Sequence, residues 1–97
     1  MNLGKALKTC RINKGWSLKQ LSEKCDLSIS YLSLLEKGNR DPNLSALNKI
    51  CDAMNVPISI VIFLASDVHE LNGLSIDVIE KLSATALNLI KEIPENV

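Results

Sequence analysis

The side chains able to do chemistry here are mostly hydrogen-bond donors and cations. Lys19, Lys37 and Arg40 share the stretch 17–42 with the hydroxyls of Ser17, Ser28 and Tyr31, groups that suit the phosphate oxygens of a polyanion. Catalytic sets are missing. His69 is the sole histidine, so no pair of histidines can share acid and base roles, and Asp67 and Glu70 flank it without metal-ligand order. There is no glycine-rich phosphate loop and no G-x-S-x-G or H-E-x-x-H motif, and Glu92 and Glu95 read as a solvated tail. Cys10, Cys25 and Cys51 are odd in number and widely spaced, which argues against zinc or a disulfide framework. Each falls on an apolar helical position, where a free thiol acts as a small hydrophobe. An enzyme is not expected, and neither is a cofactor, a metal or a small-molecule ligand.

Those cations and hydroxyls must be held by something, and the pattern of 17–42 says what. Ser17 opens a helix, with Gln20 completing a capping box of the S-x-x-Q type. Trp16, just before the cap, is placed to pack back as a hydrophobic staple. Leu21 and Cys25 form the buried stripe, and Ser22 is small enough for a close helix crossing. Cys25-Asp26-Leu27 is a turn whose Asp can take the left-handed conformation. Ser28 caps the next helix, Leu32 and Leu35 point inward, and Gly38 is its stop. Two short helices joined by a tight turn, the second ended by glycine, is the layout that places one helix in the major groove of DNA.

The flanks read as further helices. Leu3, Ala6, Leu7 and Cys10 mark a first helix ended by Gly15, with Lys5, Lys8 and Lys14 mostly on its outer side. After a polar loop at 39–42, Leu44, Leu47, Ile50, Cys51 and Met54 define a fourth helix with Asn55 as its C-terminal cap. The segment 57–65 has the composition of a buried strand, but helical neighbours and the absence of a partner strand favour a short helix opened by Pro57, buried in the core or in a subunit interface. Asn72-Gly73 marks a turn, Ser75 caps a last helix, and Pro94 stops it. The fold class is therefore all-α.

Ninety-seven residues suit one globular unit, able to bury roughly two-thirds of its unfolded surface. With three aromatic residues, the core must be built from Leu, Ile, Val and Ala. No apolar run reaches the roughly 18 residues of a membrane span, and residues 1–14 lack an apolar targeting region, so a cytoplasmic location is expected. The net charge of zero hides an asymmetry: residues 1–41 hold eight basic against four acidic side chains, +4, and residues 42–97 three against seven, −4. One half can face a polyanion and the other not.

Arg11, the GWS run at 15–17, Leu21, Ser28, Tyr31-Leu32-Ser33, Leu35-Glu36-Lys37-Gly38, Pro42, Leu47 and Val56-Pro57 together resemble the lambda-repressor/Cro family of bacterial and phage regulators. The resemblance implies a five-helix DNA-binding domain over 1–66, leaving 67–97 as a linker and an additional C-terminal helix. It implies that Arg11 pairs with Glu36, tying the first helix to the end of the third. It also implies a DNA face made of Leu18 at the start of the second helix and Ile29, Ser30, Ser33, Leu34 and Lys37 on the third; Lys19, Arg40, Asn39 and the hydroxyls of Ser17, Ser28 and Tyr31 are placed to add contacts to the DNA backbone. Helical geometry agrees, because 29, 30, 33, 34 and 37 lie opposite Leu32 and Leu35.

That face departs from the usual chemistry of base readout, which relies on Arg, Asn or Gln. Ile29 and Leu34 could meet thymine methyl groups while Ser30 and Ser33 make single hydrogen bonds, giving an A·T-leaning site. Alternatively, the apolar surface binds a protein, as in a helix–turn–helix antitoxin or adaptor. The reading adopted is a bacterial or phage repressor that binds double-stranded DNA, a palindromic operator, as a homodimer. Ile58, Ile60, Val61, Phe63 and Leu64, with Ile76, Ile79, Leu82, Ala86, Leu89 and Ile90 of the last helix, are the expected dimer surface. No sensor domain is expected in so short a chain, so control should come through protein level, a partner protein or degradation.

Overall fold

The computed structural model describes residues 1–66 and 76–92, and the side chains of 1–66 and 80–90. The expectations placed on His69, Asn72-Gly73, Ser75, Pro94 and the side chains of Ile76 and Ile79 lie outside the described residues. Six helices follow in order: α1 (Leu3–Asn13), α2 (Leu18–Cys25), α3 (Ile29–Glu36), α4 (Leu44–Met54), α5 (Ile58–Ala65) and α6 (Ile76–Glu92). Among the described residues there is no strand, so 58–65 takes the helical alternative. No single described helix is long and apolar enough to cross a membrane.

The starts of α1 to α4 are each set by a side chain that accepts a free amide of the first turn. Asn2 Oδ1 accepts from Lys5 N at 3.0 Å, Ser28 Oγ from Tyr31 N at 3.1 Å and Asn43 Oδ1 from Ala46 N at 2.8 Å. The capping box at α2 is complete: Gln20 N donates to Ser17 Oγ at 3.1 Å and Ser17 N to Gln20 Oε1 at 2.8 Å. α5 has no side-chain cap and starts from Pro57, whose fixed φ of −59° suits helix entry.

The ends follow one pattern three times. After α1, α3 and α4 the chain turns left-handed at Gly15, Gly38 and Asn55, with paired backbone bonds closing a Schellman motif. For α3 these are Gly38 N to Leu35 O at 3.1 Å and Asn39 N to Leu34 O at 3.0 Å. Asp26, at φ 58°, makes the turn between α2 and α3, where Ser22 Oγ also donates to Leu27 O.

One core joins these helices. Leu7, Cys10, Leu21, Leu32, Leu35, Ile50, Cys51, Met54 and Val61 are fully or almost fully buried, and Ile90 of α6 joins them. Trp16 is buried in the core cluster and carries the Lys24 ammonium 4.8 Å from its ring centroid. The three cysteines are free and buried. Burial pushes the Cys10 thiol up to about 11, although Lys14 opposes this, and Cys51 up to about 12. Both therefore stay protonated near neutral pH, as inert core residues.

Leu44 does not join the buried stripe of α4; Ala46 does. With about 100° per residue, Leu44 lies roughly 90° from the centre of the 46–47–50–51–54 stripe. α1 crosses α3 closely at Gly4, where an added Cβ would run into Leu35 O. The start of α1 is also tied to the end of α5 by Asn2 N donating to Ala65 O at 2.8 Å.

Candidate nucleic-acid interface

α3 is anchored on its inner side and open on its outer side. Leu32 and Leu35 are buried, whereas Ser28, Ile29, Ser30, Leu34 and Lys37 are exposed, Ile29 by 45% and Leu34 by 40%. The start of α2 presents Ser17 and Lys19 to solvent, and the loop after α3 presents Asn39 and Arg40. Ser17 and Ser28 already accept the capping amides, so each hydroxyl proton is left to donate outward. The Arg40 guanidinium stands 5.4 Å from the centroid of the Tyr31 ring, a cation–π contact joining the loop to α3.

Three side chains sit less openly than the sequence suggests. Leu18, Tyr31 and Ser33 are half-buried, and Leu18 and Tyr31 pack against the core. Leu18 thus spends part of its apolar surface holding the start of α2 in place, which accounts for an apolar residue there.

The orientation of α3 is fixed by Arg11. Its Nε donates to Glu36 Oε2 at 2.8 Å and its Nη2 to Glu36 Oε1 at 2.9 Å, a bidentate pair with the side chains only 11% and 7% exposed. Its Nη1 donates to Trp16 O at 2.7 Å. One guanidinium therefore ties α1, the α1–α2 turn and the end of α3 together, using the planar fork that lysine lacks.

Lys8 is the residue that sequence reasoning did not place near this face. With Arg11, Leu18, Ser33, Glu36 and Lys37 it lines a cleft of about 120 Å³ between α1, α2 and α3. The available signal was its position one turn before Arg11.

The expected dimer surface divides. Val61 and Ile90 are fully buried within the monomer and Ala86 almost so. This corrects the assignment of Val61 and Ile90 to a subunit seam: they belong to the monomer core, where no second chain can reach them, whereas Ala86 lines the groove between α5 and α6. Ile58, Ile60, Phe63 and Leu64 are half-buried, while Leu82 and Leu89 are 44% and 46% exposed. Ile60, Phe63, Leu82 and Leu89 line an apolar groove of about 280 Å³ between α5 and α6, with Ser59, Thr85 and Ala86. Ile62, also exposed, lies beyond that expectation.

Comparison with known proteins agrees with this architecture. A helix-turn-helix family model matches residues 7–61, which spans α2, α3 and α4, most of α1 and the first half of α5. The transcriptional regulator ClgR of Mycobacterium tuberculosis is 32% identical over 65 residues, covering 67% of this chain and 58% of that protein. The immunity repressor protein of Bacillus phage phi105 is 32% identical over 62 residues, 64% of this chain and 43% of its own length. SinR of Bacillus subtilis, an HTH-type transcriptional regulator, is 33% identical over 57 residues, 58% of this chain and 51% of its own. In each case the match spans less than two-thirds of the relative. With the family model covering more than half of the chain, the protein belongs to the helix-turn-helix family of lambda-repressor/Cro type, a family of DNA-binding transcriptional regulators.

Proposed function

We propose that this chain is a bacterial or phage repressor that acts in the cytoplasm by inserting α3 into the major groove of its operator. The observation that carries the reading is the outward set on α3, rigidly presented: Ile29, Ser30, Leu34 and Lys37 stand clear of a helix fixed by two core leucines, two caps and the Arg11–Glu36 pair. Lys19, Lys37 and Arg40 flank it with charge for phosphates, while Ile29 and Leu34 suit thymine methyl groups and Ser30 and Ser33 single base-edge bonds. Such a site discriminates through A·T content and groove shape more than through bidentate bonds.

One helix of this length covers few base pairs, so a two-fold dimer reading half-sites about 34 Å apart supplies the missing affinity and specificity. The groove between α5 and α6 supports that arrangement, because it leaves Leu82 and Leu89 exposed on the side of the molecule formed by the acidic half of the chain. Hydroxyl-radical footprinting on the DNA upstream of its own gene tests this reading. Two protected patches about one helical turn apart, over A·T-rich sequence, are expected; uniform cleavage at saturating protein would refute it.

Ile29 and Leu34 also favour a second reading, a protein-docking helix in an antitoxin or adaptor, since exposed branched side chains suit an apolar partner as well as a base methyl. In that case Ile29→Ser with Leu34→Ser would abolish partner capture while DNA binding was absent from the start.

A further inference from the structure

The cleft beside α3 draws its walls from three helices, and its chemistry is one-sided. Lys8 and Arg11 come from α1, Leu18 from the start of α2, and Ser33, Glu36 and Lys37 from the end of α3. Three cations against one carboxylate leave a charge of +2. Both oxygens of that carboxylate are taken by Arg11 at 2.8 and 2.9 Å, so the acid is neutralised in place and does not compete for an incoming anion. Among the described residues neither Lys8 nor Lys37 forms an ion pair. The Ser33 hydroxyl is a further donor on the same wall. About 120 Å³ is room for roughly four water molecules at about 30 Å³ each, enough for a tetrahedral oxyanion with part of its hydration.

Ser33 and Lys37 belong at once to this cleft and to the outer face of α3, so whatever fills the cleft is continuous with whatever α3 touches. A lone phosphate ester on a long polymer meets both conditions: it carries a single negative charge, and it arrives with the groove that α3 enters. We infer that the cleft seats one backbone phosphate of the bound DNA, with Lys8 as its ligand from outside the helix–turn–helix and Lys37 opposite. Held between α1 and the end of α3, that phosphate sets how deeply α3 enters the groove, a positioning role without sequence information. This rests on the DNA reading above.

The test compares wild type with Lys8→Ala, Lys8→Arg and, as control, Lys49→Ala, an exposed lysine of α4. Affinity for the upstream duplex and for a scrambled duplex is measured between 50 and 200 mM salt. Lys8→Ala is expected to weaken both duplexes by the same factor and to shallow the log–log salt slope by about 0.9, so that it loses about 3- to 4-fold less affinity than wild type across that range. Lys8→Arg should keep the wild-type slope, and Lys49→Ala should match wild type throughout. Melting temperatures should be unchanged, since Lys8 is exposed. A Lys8→Ala slope equal to that of a steeply salt-dependent wild type would overturn the phosphate seat alone. A wild type with no salt-dependent binding would overturn the DNA reading and the seat with it.

Discussion

At the scale of single residues the decisive partner is Glu36. Its carboxylate is almost buried and meets a guanidinium whose third contact is a backbone carbonyl 2.7 Å away, so removing the acid strands a desolvated cation. Breaking such a pair costs about 3–5 kcal/mol when both groups are deeply buried, and somewhat less here because each keeps some solvent contact. Glu36→Gln should therefore destabilise the fold by about 2–3 kcal/mol in chemical denaturation. Replacing both partners by Arg11→Met with Glu36→Leu should recover a good part of that loss. A single variant within about 0.5 kcal/mol of wild type would mean that the pair does not hold α3. This contact was anticipated from the resemblance at Arg11 and Glu36. Its second arm, to the Trp16 carbonyl, was not, because it depends on how the α1–α2 turn folds back.

Elements are where local signals succeed and distant ones fail. Ser17 with Gln20, Asp26, Ser28, Gly38 and Asn55 were legible because each works within a few residues on its own backbone. Asn2 and Asn43 cap by the same chemistry, but Asn43 stands among other polar residues that obscure it and Asn2 has no Glu or Gln three residues on to complete a capping box. Gly4 carried no local signal at all, since its reason for being glycine is the Leu35 carbonyl of another helix. Two glycines thus predict different penalties. Gly4→Ala would gain up to about 1 kcal/mol of helix propensity, but it drives a methyl into backbone and should lose about 2–3 kcal/mol net through overpacking. Gly38→Ala meets nothing within 4 Å and suffers only its left-handed φ of 76°, about 1–2 kcal/mol. Thermal melts of the two variants check the order; a Gly4→Ala protein as stable as wild type would show that α1 and α3 can separate at little cost.

At the scale of the whole molecule the proposed dimer raises the question of which apolar surface would meet a second copy. An apolar stripe declares that something covers it, not whether that is the same chain or another. For this reason Val61, Ala86 and Ile90 were indistinguishable in the sequence from Leu82 and Leu89. In the fold Val61 and Ile90 close the core, Ala86 is nearly buried on the wall of the α5–α6 groove, and Leu82 and Leu89 face outward along it. Leu82→Asp with Leu89→Asp should convert the protein to monomers in sedimentation equilibrium without lowering its melting temperature by more than a few degrees, whereas Ile90→Asp should unfold it. A Leu82/Leu89 variant that remains dimeric would move the seam elsewhere. Lys8 belongs to this scale as well, because the cleft it lines exists only once three helices are in place.

The outer face of α3 is proposed to read DNA, and titration of the protein against its own upstream duplex decides whether it does. A scrambled duplex of equal composition and the Ile29→Ala, Leu34→Ala variant complete the comparison, over a range of salt concentrations. Saturable binding at low salt is expected, with a log–log slope of about −0.9 per phosphate neutralised and a preference for the upstream duplex that the double variant loses while keeping the slope. No saturable binding at low salt, or a shallow slope with no preference between duplexes, would contradict that proposal.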